Sequence, residues 1–149
     1  MRIIKRNYLD KMINVIGTPN IKVIIGAKHS GKSKLLESFN EYVKNNIKNS
    51  NVISINFSLL EFKELKDYRK LNEYIENKYI NGMNNFVCID EIKMCSNFEK
   101  VINTLYAKGK YDIYIAGLNE FLLNSDIDTL FNRKIFKINV FPVSVKEFI

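Results

Sequence analysis

The chain has few of the residues from which metal centres and disulfides are built, and it has no long apolar run. Its 149 residues include two cysteines and one histidine. Cys88 and Cys95 match no zinc-binding or redox spacing, and His29 alone cannot form a metal site. No stretch approaches the roughly 20 apolar residues of a membrane span, and the N-terminus lacks the apolar segment of a secretory signal. The sequence therefore predicts a cytoplasmic protein that has no disulfide and no membrane partner.

Apolar residues and positive charge are what the chain has in quantity. Hydrophobic residues make up 46% of the sequence, enough for a proper core in one domain of this size. The formal net charge of +7 favours anionic partners, but lysine, asparagine and isoleucine are abundant throughout, so the charge is a weak indicator. Tyrosines and lysines are mixed over 106–111, where they could contact nucleic acid, although no module for reading bases is recognisable. A plain surface loop is the first interpretation of that segment.

Apolar runs and helical periodicities alternate along the chain. The runs predict strands over 21–25, 52–57, 86–89, 111–116 and 134–141. Helical spacing predicts one helix after the first strand to about Lys48, and another from about Phe62 to the break at 81–82. A third is predicted to start at a capping box of Ser96 and Glu99 and to end at Gly109, with a short helical segment around 121–131. This alternation predicts an α/β fold in three layers, with a mainly parallel five-stranded sheet whose ligands gather at the carboxyl ends of its strands.

No linker or internal repeat divides the chain. We therefore expect one domain over residues 1–149. It would consist of a short N-terminal helix over 7–16, a core over 21–141 and a C-terminal connection over 142–149.

Residues 26–33 fit the phosphate-binding pattern GxxxxGK[ST] without a mismatch. They lie between the first predicted strand and an amphipathic helix, which is the context this pattern requires. Glycine permits backbone angles that point successive N–H groups at an anion, and the helix adds the positive end of its dipole. Lys32 is predicted to reach the β- and γ-phosphates and Ser33 to bind Mg²⁺, so the pattern predicts a nucleoside triphosphate with its metal. The predicted nucleotide-binding residues are Gly26, Ala27, Lys28, His29, Ser30, Gly31, Lys32, Ser33 and Lys34.

A pair of carboxylates ends the third predicted strand. Asp90 is predicted to hold Mg²⁺, and Glu91 to orient or deprotonate the water that attacks the γ-phosphate. A strand that merely ends in acidic residues before a loop is the alternative. The phosphate loop two elements upstream favours the catalytic interpretation.

Two absences favour ATP over GTP. Asp90 is followed by Glu91 and Ile92 rather than by a DxxG pattern, and no NKxD motif for reading guanine occurs. We therefore expect ATP and its product ADP as the bound nucleotides. No residues that would recognise the adenine base stand out.

The order of these motifs resembles the bacterial and archaeal AAA-type ATPases of the AAA_14 family, whose ATPase core usually precedes a domain of the DUF4143 type. The resemblance covers nearly the whole chain and rests on residues 8–10, 26–33, 87–92, 116–119 and 141–148. It implies a sheet in which a sensor strand lies between the strand before the phosphate loop and the acidic strand. It also implies an isolated ATPase core, which would turn over slowly without a C-terminal domain or further copies of the chain.

The resemblance assigns roles to two more residues. Asn119 ends a stretch that in this family typically reads TGSN, so its amide could bind the γ-phosphate or the attacking water; capping the following helical segment is the alternative. Ala116 and Leu118 replace the hydroxyl residues expected there, so part of the usual polar network is missing. Arg133 stands where the family tends to have a Gly-Arg pair and could act as an arginine finger, in its own subunit or across an interface. A solvated arginine is the plain alternative.

The sequence thus predicts ATP binding and Mg²⁺-dependent hydrolysis that drives or gates a conformational change. One alternative is a nucleotide-dependent switch or scaffold with little hydrolysis. Another is a nucleic-acid-binding module regulated by ATP. A small-molecule phosphotransferase is less favoured, because Glu91 beside Asp90 suits activation of water.

Overall fold

The structure is a computed structural model that describes residues 2–26, 31–118, 129–131 and 134–140. Within these residues strands and helices alternate as predicted. The helices are α1 (Arg2–Asn14), α2 (Lys32–Asn46), α3 (Tyr68–Lys78) and α4 (Phe98–Lys108). The strands are β1 (Ile21–Gly26), β2 (Ser50–Asn56), β3 (Asn84–Asp90), β4 (Tyr111–Ala116) and β5 (Ile135–Val140).

The five strands form one sheet in the order β2-β3-β4-β1-β5. Every neighbouring pair is parallel. The predicted α/β fold with a parallel five-stranded sheet is therefore confirmed. The position of β4 between β1 and β3 also agrees with the sensor strand that the family resemblance implies, and it brings the carboxyl ends of all three strands to one edge.

Helices cover both faces of the sheet, because alternate residues of each buried strand are apolar on both sides. On one face, Leu71 and Ile75 of α3 and Val101 of α4 pack in a cluster that includes Val87 and Ile89 of β3. The opposite face carries a second cluster in which Met12 of α1 and Leu35, Leu36 and Phe39 of α2 pack with Phe86 and Cys88. The result is three layers, with α1 and α2 on one face and α3 and α4 on the other.

A buried ion pair joins β1 and β4 at the amino edge of the sheet, the edge opposite Gly26 at the end of β1. The Lys22 side chain is fully buried, and its ammonium donates to Asp112 Oδ1 at 2.6 Å and to the Thr18 carbonyl at 2.7 Å. The other Asp112 oxygen accepts the Gly17 N–H at 2.9 Å. The Lys22 ammonium also lies 5.3 Å from the ring centroid of Tyr114. The Lys22 nitrogen and both Asp112 oxygens therefore each have at least one hydrogen-bond partner, which a buried pair needs in order not to destabilise the fold.

The helix expected from Phe62 to residue 80 is wrong as a single element. The structure has a 3₁₀ helix over Leu60–Lys66 and then α3, with Asp67 in an extended conformation between them. The Asp67 side chain accepts the Arg69 N–H at 3.0 Å and so caps α3. The apolar residues that suggested one helix are spaced by threes and fours, which a 3₁₀ helix followed by an α-helix satisfies equally well.

The predicted capping box of Ser96 and Glu99 is also wrong. Helix α4 begins at Phe98 after Asn97, which adopts the left-handed conformation with φ 57° and makes no side-chain cap bond. The Ser96 N–H instead donates to the Lys66 carbonyl at 3.1 Å. By contrast, Gly109 ends α4 in the left-handed conformation, as predicted.

Three further predictions concern the N-terminal helix, the helical segment around 121–131 and the C-terminal connection, and the described residues cover them only in part. Helix α1 spans Arg2–Asn14 rather than 7–16. Of the helical segment around 121–131, only 129–131 lie among the described residues, and the connection over 142–149 lies outside them. In the described part of the chain, no helix has the length and apolar character needed to cross a bilayer.

Both cysteines are free and buried. Burial raises the pKa of the Cys88 thiol in β3, and it raises that of Cys95 to about 11. Both side chains therefore stay protonated at neutral pH and behave as small hydrophobic groups.

Candidate nucleotide site at the carboxyl edge of the sheet

The amino end of α2 lies directly beyond the end of β1. Gly26 is the last residue of β1, and Gly31 precedes α2 with φ +89°, a conformation that favours glycine. The Gly31 carbonyl accepts the Leu35 N–H at 3.0 Å and starts the helix. The remaining N–H groups of the first turn have no partner within the helix, which makes this end attractive to an anion. Ala27, Lys28, His29 and Ser30, four of the predicted binding residues, lie outside the described part, whereas Lys34 is exposed on the first turn of α2.

Asp90 and Ser33, the two predicted metal ligands, lie side by side. Asp90 ends β3 and is only 3% exposed. Its Oδ2 accepts the Ser33 hydroxyl at 2.5 Å, and its Oδ1 accepts the Glu91 N–H at 2.9 Å. The Asp90 carbonyl accepts the Phe57 N–H at 3.3 Å. Both the backbone and the carboxylate of Asp90 are thus fixed at the edge that α2 faces.

Glu91 and Lys32 form an ion pair beside them, with Lys32 Nζ 3.4 Å from Glu91 Oε1. The side chains are 11% and 22% exposed, so both groups are accessible from the edge of the sheet without being fully solvated. Glu91 has φ 55° and ψ 44°, the left-handed region that a residue with a Cβ atom rarely adopts. Its carbonyl accepts the Met94 N–H at 3.0 Å, which starts a short 3₁₀ turn over Ile92–Met94.

Gly117 lies against the backbone of Glu91, a contact that the sequence analysis missed. A Cβ atom at position 117 would lie 2.4 Å from the Glu91 Cα and 2.7 Å from its nitrogen. Gly117 also has φ +94°. The available signal was a glycine directly after a strand predicted to lie beside the acidic strand, and only the strand order turns that signal into a contact.

The other sensor-region predictions have mixed outcomes. Ala116 and Leu118, which stand where hydroxyl residues were expected, are buried in the apolar clusters on the two faces of the sheet. Asn119 and Arg133, the predicted sensor and arginine finger, lie outside the described residues. Their roles therefore stay predictions.

The donor set at this edge suits a magnesium ion that is shared with phosphates. Among the residues that the structure describes, no group of three or more His, Cys, Asp or Glu side chains could hold a metal by itself. Ser33 and Asp90 offer a hydroxyl and a carboxylate, both hard oxygen donors. Mg²⁺ in phosphate-transferring sites takes one or two such protein ligands and fills the remainder with water and phosphate oxygens, so the residues present fit it.

The sequence model of the AAA_14 family, described as an AAA domain, matches residues 18–149. The chain belongs to the AAA_14 family. Its relatives include an uncharacterized protein of Haemophilus influenzae, 33% identical over 147 residues that cover 97% of this chain and 37% of the relative. An uncharacterized protein of Methanocaldococcus jannaschii is 28% identical over 147 residues, 97% of this chain and 32% of its own length. The chain thus spans about a third of the length of these relatives.

Solved structures share the fold at low identity. The structure of PCH-2 from Caenorhabditis elegans matches with a TM-score of 0.59 and 15% identity over 94% of this chain and 40% of that one. Domain III of the replication initiation protein DnaA from Thermotoga maritima matches with a TM-score of 0.55 and 20% identity, over 92% of this chain and 62% of that one. These likenesses show the fold alone. Together with the family, they make this chain an AAA-family P-loop NTPase domain.

Proposed function

We propose that this domain binds ATP together with Mg²⁺ and hydrolyses it to ADP and phosphate. One observation carries the proposal. The first turn of α2 and the end of β3 meet at the carboxyl edge of the sheet, where Lys32 pairs with Glu91 and Ser33 bonds to Asp90. The residues predicted to bind phosphate and the acidic residues, far apart in sequence, are therefore neighbours in space.

The phosphates would be held by the amino end of α2 and by Lys32. The free N–H groups of the first turn and the dipole of a 15-residue helix attract a polyanion. Lys32 has a single carboxylate partner at 3.4 Å among its described contacts, and it can exchange that partner for a phosphate oxygen. Gly26, Gly31 and residues 27–30 would supply further backbone N–H groups, and Lys34 a peripheral positive charge.

Ser33 and Asp90 would hold Mg²⁺ at this edge. The ion would supply neutralisation of the charge that builds up between the β- and γ-phosphates. Asp90 is suited to the role because its carboxylate is buried and fixed by two donors. The Ser33 hydroxyl, already 2.5 Å from that carboxylate, is close enough to share one ion with it.

Glu91 would act as the general base that takes the proton from the attacking water. Its carboxylate projects from the same edge as Lys32 and is partly exposed, so a water molecule can reach it. We assign Asn119 to contact the γ-phosphate or this water, since it follows β4 closely in sequence. Arg133 would stabilise the transferred phosphoryl group, within the chain or from a neighbouring copy. The output would be a conformational change passed to a C-terminal domain or to further copies of the chain.

Calorimetric titration with ATP, with and without Mg²⁺, combined with a phosphate-release assay, tests this proposal. Lys32→Ala should weaken ATP binding strongly, because it removes the ammonium group that would leave Glu91 and bind a phosphate oxygen. Glu91→Gln should still bind ATP yet release phosphate about 10²–10⁴-fold more slowly, the usual effect of losing a general base. Asp90→Asn should reduce the difference in ATP affinity between the titrations with and without Mg²⁺.

The same measurements separate the alternatives. In a nucleotide-dependent switch with little hydrolysis, wild type and Glu91→Gln would release phosphate at the same low rate while both bind ATP. Wild-type protein that binds no ATP, or Lys32→Ala protein that binds it as well as wild type does, would contradict the proposal.

A nucleic-acid-binding surface is a second candidate function, favoured by a cluster of lysines over tyrosine rings. Lys110 Nζ lies 4.2 Å from the ring centroid of Tyr79 and 5.9 Å from that of Tyr111. Nearby in sequence, Lys78 Nζ lies 5.5 Å from the Tyr74 ring centroid. Basic groups beside aromatic rings are what single-stranded nucleic acid binds through its phosphates and bases.

Fluorescence anisotropy with a labelled single-stranded oligonucleotide tests this surface. Affinity should fall steeply between 50 mM and 200 mM salt and should fall again in Lys110→Ala. A salt-independent signal, or unchanged binding by Lys110→Ala, would remove this candidate.

A further inference from the structure

The backbone of Glu91 is held in an unfavourable conformation, so something must fix it there. Its φ of 55° is one that residues with a side chain rarely adopt. Its own hydrogen bonds, from its N–H to Asp90 Oδ1 and from the Met94 N–H to its carbonyl, involve only residues 90–94. A contact from outside the segment is therefore needed to make this conformation the single stable one.

Gly117 provides that contact. The last register pair of β3 and β4 joins Ile89 to Ile115, so extending the register by two residues places position 117 beside Glu91. The Gly117 Cα lies so close to the Glu91 backbone that an added Cβ would be 2.4 Å from the Glu91 Cα and 3.1 Å from its carbonyl carbon. Both atoms belong to the backbone, which cannot rotate away as a flexible side chain can.

The backbone at Gly117 is also fixed and cannot move away from Glu91. Ala116 before it is fully buried and Leu118 after it is 3% exposed, and they pack into the clusters on opposite faces of the sheet. The chain at position 117 is thus held from both sides. Any side chain placed there must displace Glu91, because the other half of the contact is fixed by the core.

We propose that Gly117 is a positioning residue for Glu91. Because Gly117 has no side chain, its backbone can pack directly against the backbone of Glu91. This contact keeps Glu91 in the left-handed conformation, in which its carboxylate lies at the edge that carries Lys32. The proposal rests on the proposed function in one respect, which is that Glu91 is the base. The contact itself does not depend on that function.

A side chain at position 117 should therefore affect nucleotide affinity and the rate of ATP hydrolysis differently. The groups assigned to hold the phosphates are on α2, and none of them is among the three nearest atoms that a Cβ at position 117 would meet. One of those atoms is the Glu91 nitrogen, which donates to Asp90 Oδ1, so the metal site is coupled to this contact. A displaced Glu91 should therefore lower kcat, while nucleotide affinity measured without Mg²⁺ stays close to normal. A misplacement of about 1 Å at a reacting group can cost on the order of 10²-fold in rate.

Gly82 offers a matched control. It lies in the turn before β3 with φ +86°, close to the φ of Gly117, but a Cβ added to it meets no atom within 4 Å. Gly82→Ala therefore carries a similar backbone penalty without the contact. Gly82 is exposed whereas Gly117 is buried, so a larger loss in Gly117→Ala than in Gly82→Ala reports the close packing at position 117, where the nearest atoms are those of Glu91.

The experiment compares wild type, Gly117→Ala, Gly82→Ala and Glu91→Gln by kcat and KM for ATP, by ADP affinity from calorimetry and by urea unfolding. We expect Gly117→Ala to lose about 10²-fold in kcat, with ADP affinity measured without Mg²⁺ within about threefold of wild type. Gly82→Ala should keep both. In the Glu91→Gln background, Gly117→Ala should lower phosphate release little further, since both changes disable the same group. A kcat for Gly117→Ala within threefold of wild type, or an equal loss in Gly82→Ala, would overturn the proposal.

A stability readout keeps the test independent of turnover. Glycine at position 91 can move to other backbone angles easily, so Gly117→Ala should lower the urea midpoint less in a Glu91→Gly background than in wild type. If Gly117→Ala alone does not fold, the double variant should regain a cooperative unfolding transition. Equal midpoint losses in the two backgrounds, or a double variant that also fails to fold, would refute the contact. If wild type releases no phosphate, the proposed function fails while this readout still decides the role of Gly117.

Discussion

Single residues stabilise the amino edge of the sheet far from the candidate site. Lys22 lies in the run that predicted β1 as a fully buried strand, and its side chain is indeed fully buried. The charge is tolerated because Asp112 of β4 and the Thr18 carbonyl accept its hydrogen bonds. Removing one member of such a pair leaves the other as an unpaired buried charge.

We expect Asp112→Asn to lower the free energy of unfolding by about 3–5 kcal/mol, since the Lys22 ammonium then loses its carboxylate partner. Urea denaturation followed by circular dichroism measures the change. The double variant Lys22→Met/Asp112→Asn should be more stable than Asp112→Asn alone, because it no longer buries an unpaired charge. A single variant within about 0.5 kcal/mol of wild type would contradict this view of the pair.

At the residue scale, the sequence predicted which residues form the candidate site but not their geometry. Lys32, Ser33, Asp90 and Glu91 were predicted from spacing and context, and the structure brings all four together. The left-handed conformation of Glu91 was not predictable, because glutamate carries no local signal for it. Its cause, the approach of Gly117, depends on two strands being neighbours.

Elements were predicted better than their ends. The central strands β1, β3 and β4 are mainly apolar, the pattern of strands that are buried on both faces of a sheet. The edge strands β2 and β5 instead alternate apolar and polar residues. The break at Asp67 was missed because it depends on a partner elsewhere in the chain: residue 67 forms a parallel bridge with Ser96, whose N–H bonds to the Lys66 carbonyl. The same pairing uses the Ser96 N–H, the donor that Glu99 would accept in a capping box.

Asp67→Ala should lower the free energy of unfolding by about 1 kcal/mol, because the cap of α3 at the Arg69 N–H is lost. Asp67→Asn should cost less, since asparagine can accept the same bond. Thermal or urea unfolding measures both variants. Glu64→Ala is the control: it removes an exposed ion pair with Lys70, 3.4 Å apart, and should change stability by less than about 0.5 kcal/mol. If Glu64→Ala costs as much as Asp67→Ala, the cap is not the cause.

At the scale of the whole molecule, the strand order brings the residues of the candidate site together, and the order around β4 was predicted. Alternating strands and helices led to a parallel three-layer fold, and family resemblance led to the central position of β4. Together these place the acidic end of β3 near the amino end of α2. Residues 27–30, Asn119 and Arg133 lie outside the described part, so their places in the site stay predictions.

Ligand binding at this edge should stabilise the entire fold, because β1, β3 and α2 all meet there. At an ATP·Mg²⁺ concentration 100 times its Kd, mass action adds about 2.7 kcal/mol to the free energy of unfolding. For a domain of this size that corresponds to a rise in Tm of about 5–10 °C, measured by differential scanning fluorimetry. Lys32→Ala should show no such rise. Lys44→Ala, an exposed change on the last turn of α2, should behave as wild type. Equal shifts in the two variants would place the nucleotide elsewhere.

The strand order also determines how long β1 waits for its neighbouring strands during translation. β1 lies between β4 and β5 in the sheet, yet both of those strands are translated long after it. At about 5–20 residues per second, the emerging chain carries β1 for on the order of ten seconds before either neighbouring strand leaves the ribosome. During that interval an apolar strand has no native partner, so newly made chains of this domain should depend on chaperone protection more than their mature stability would suggest.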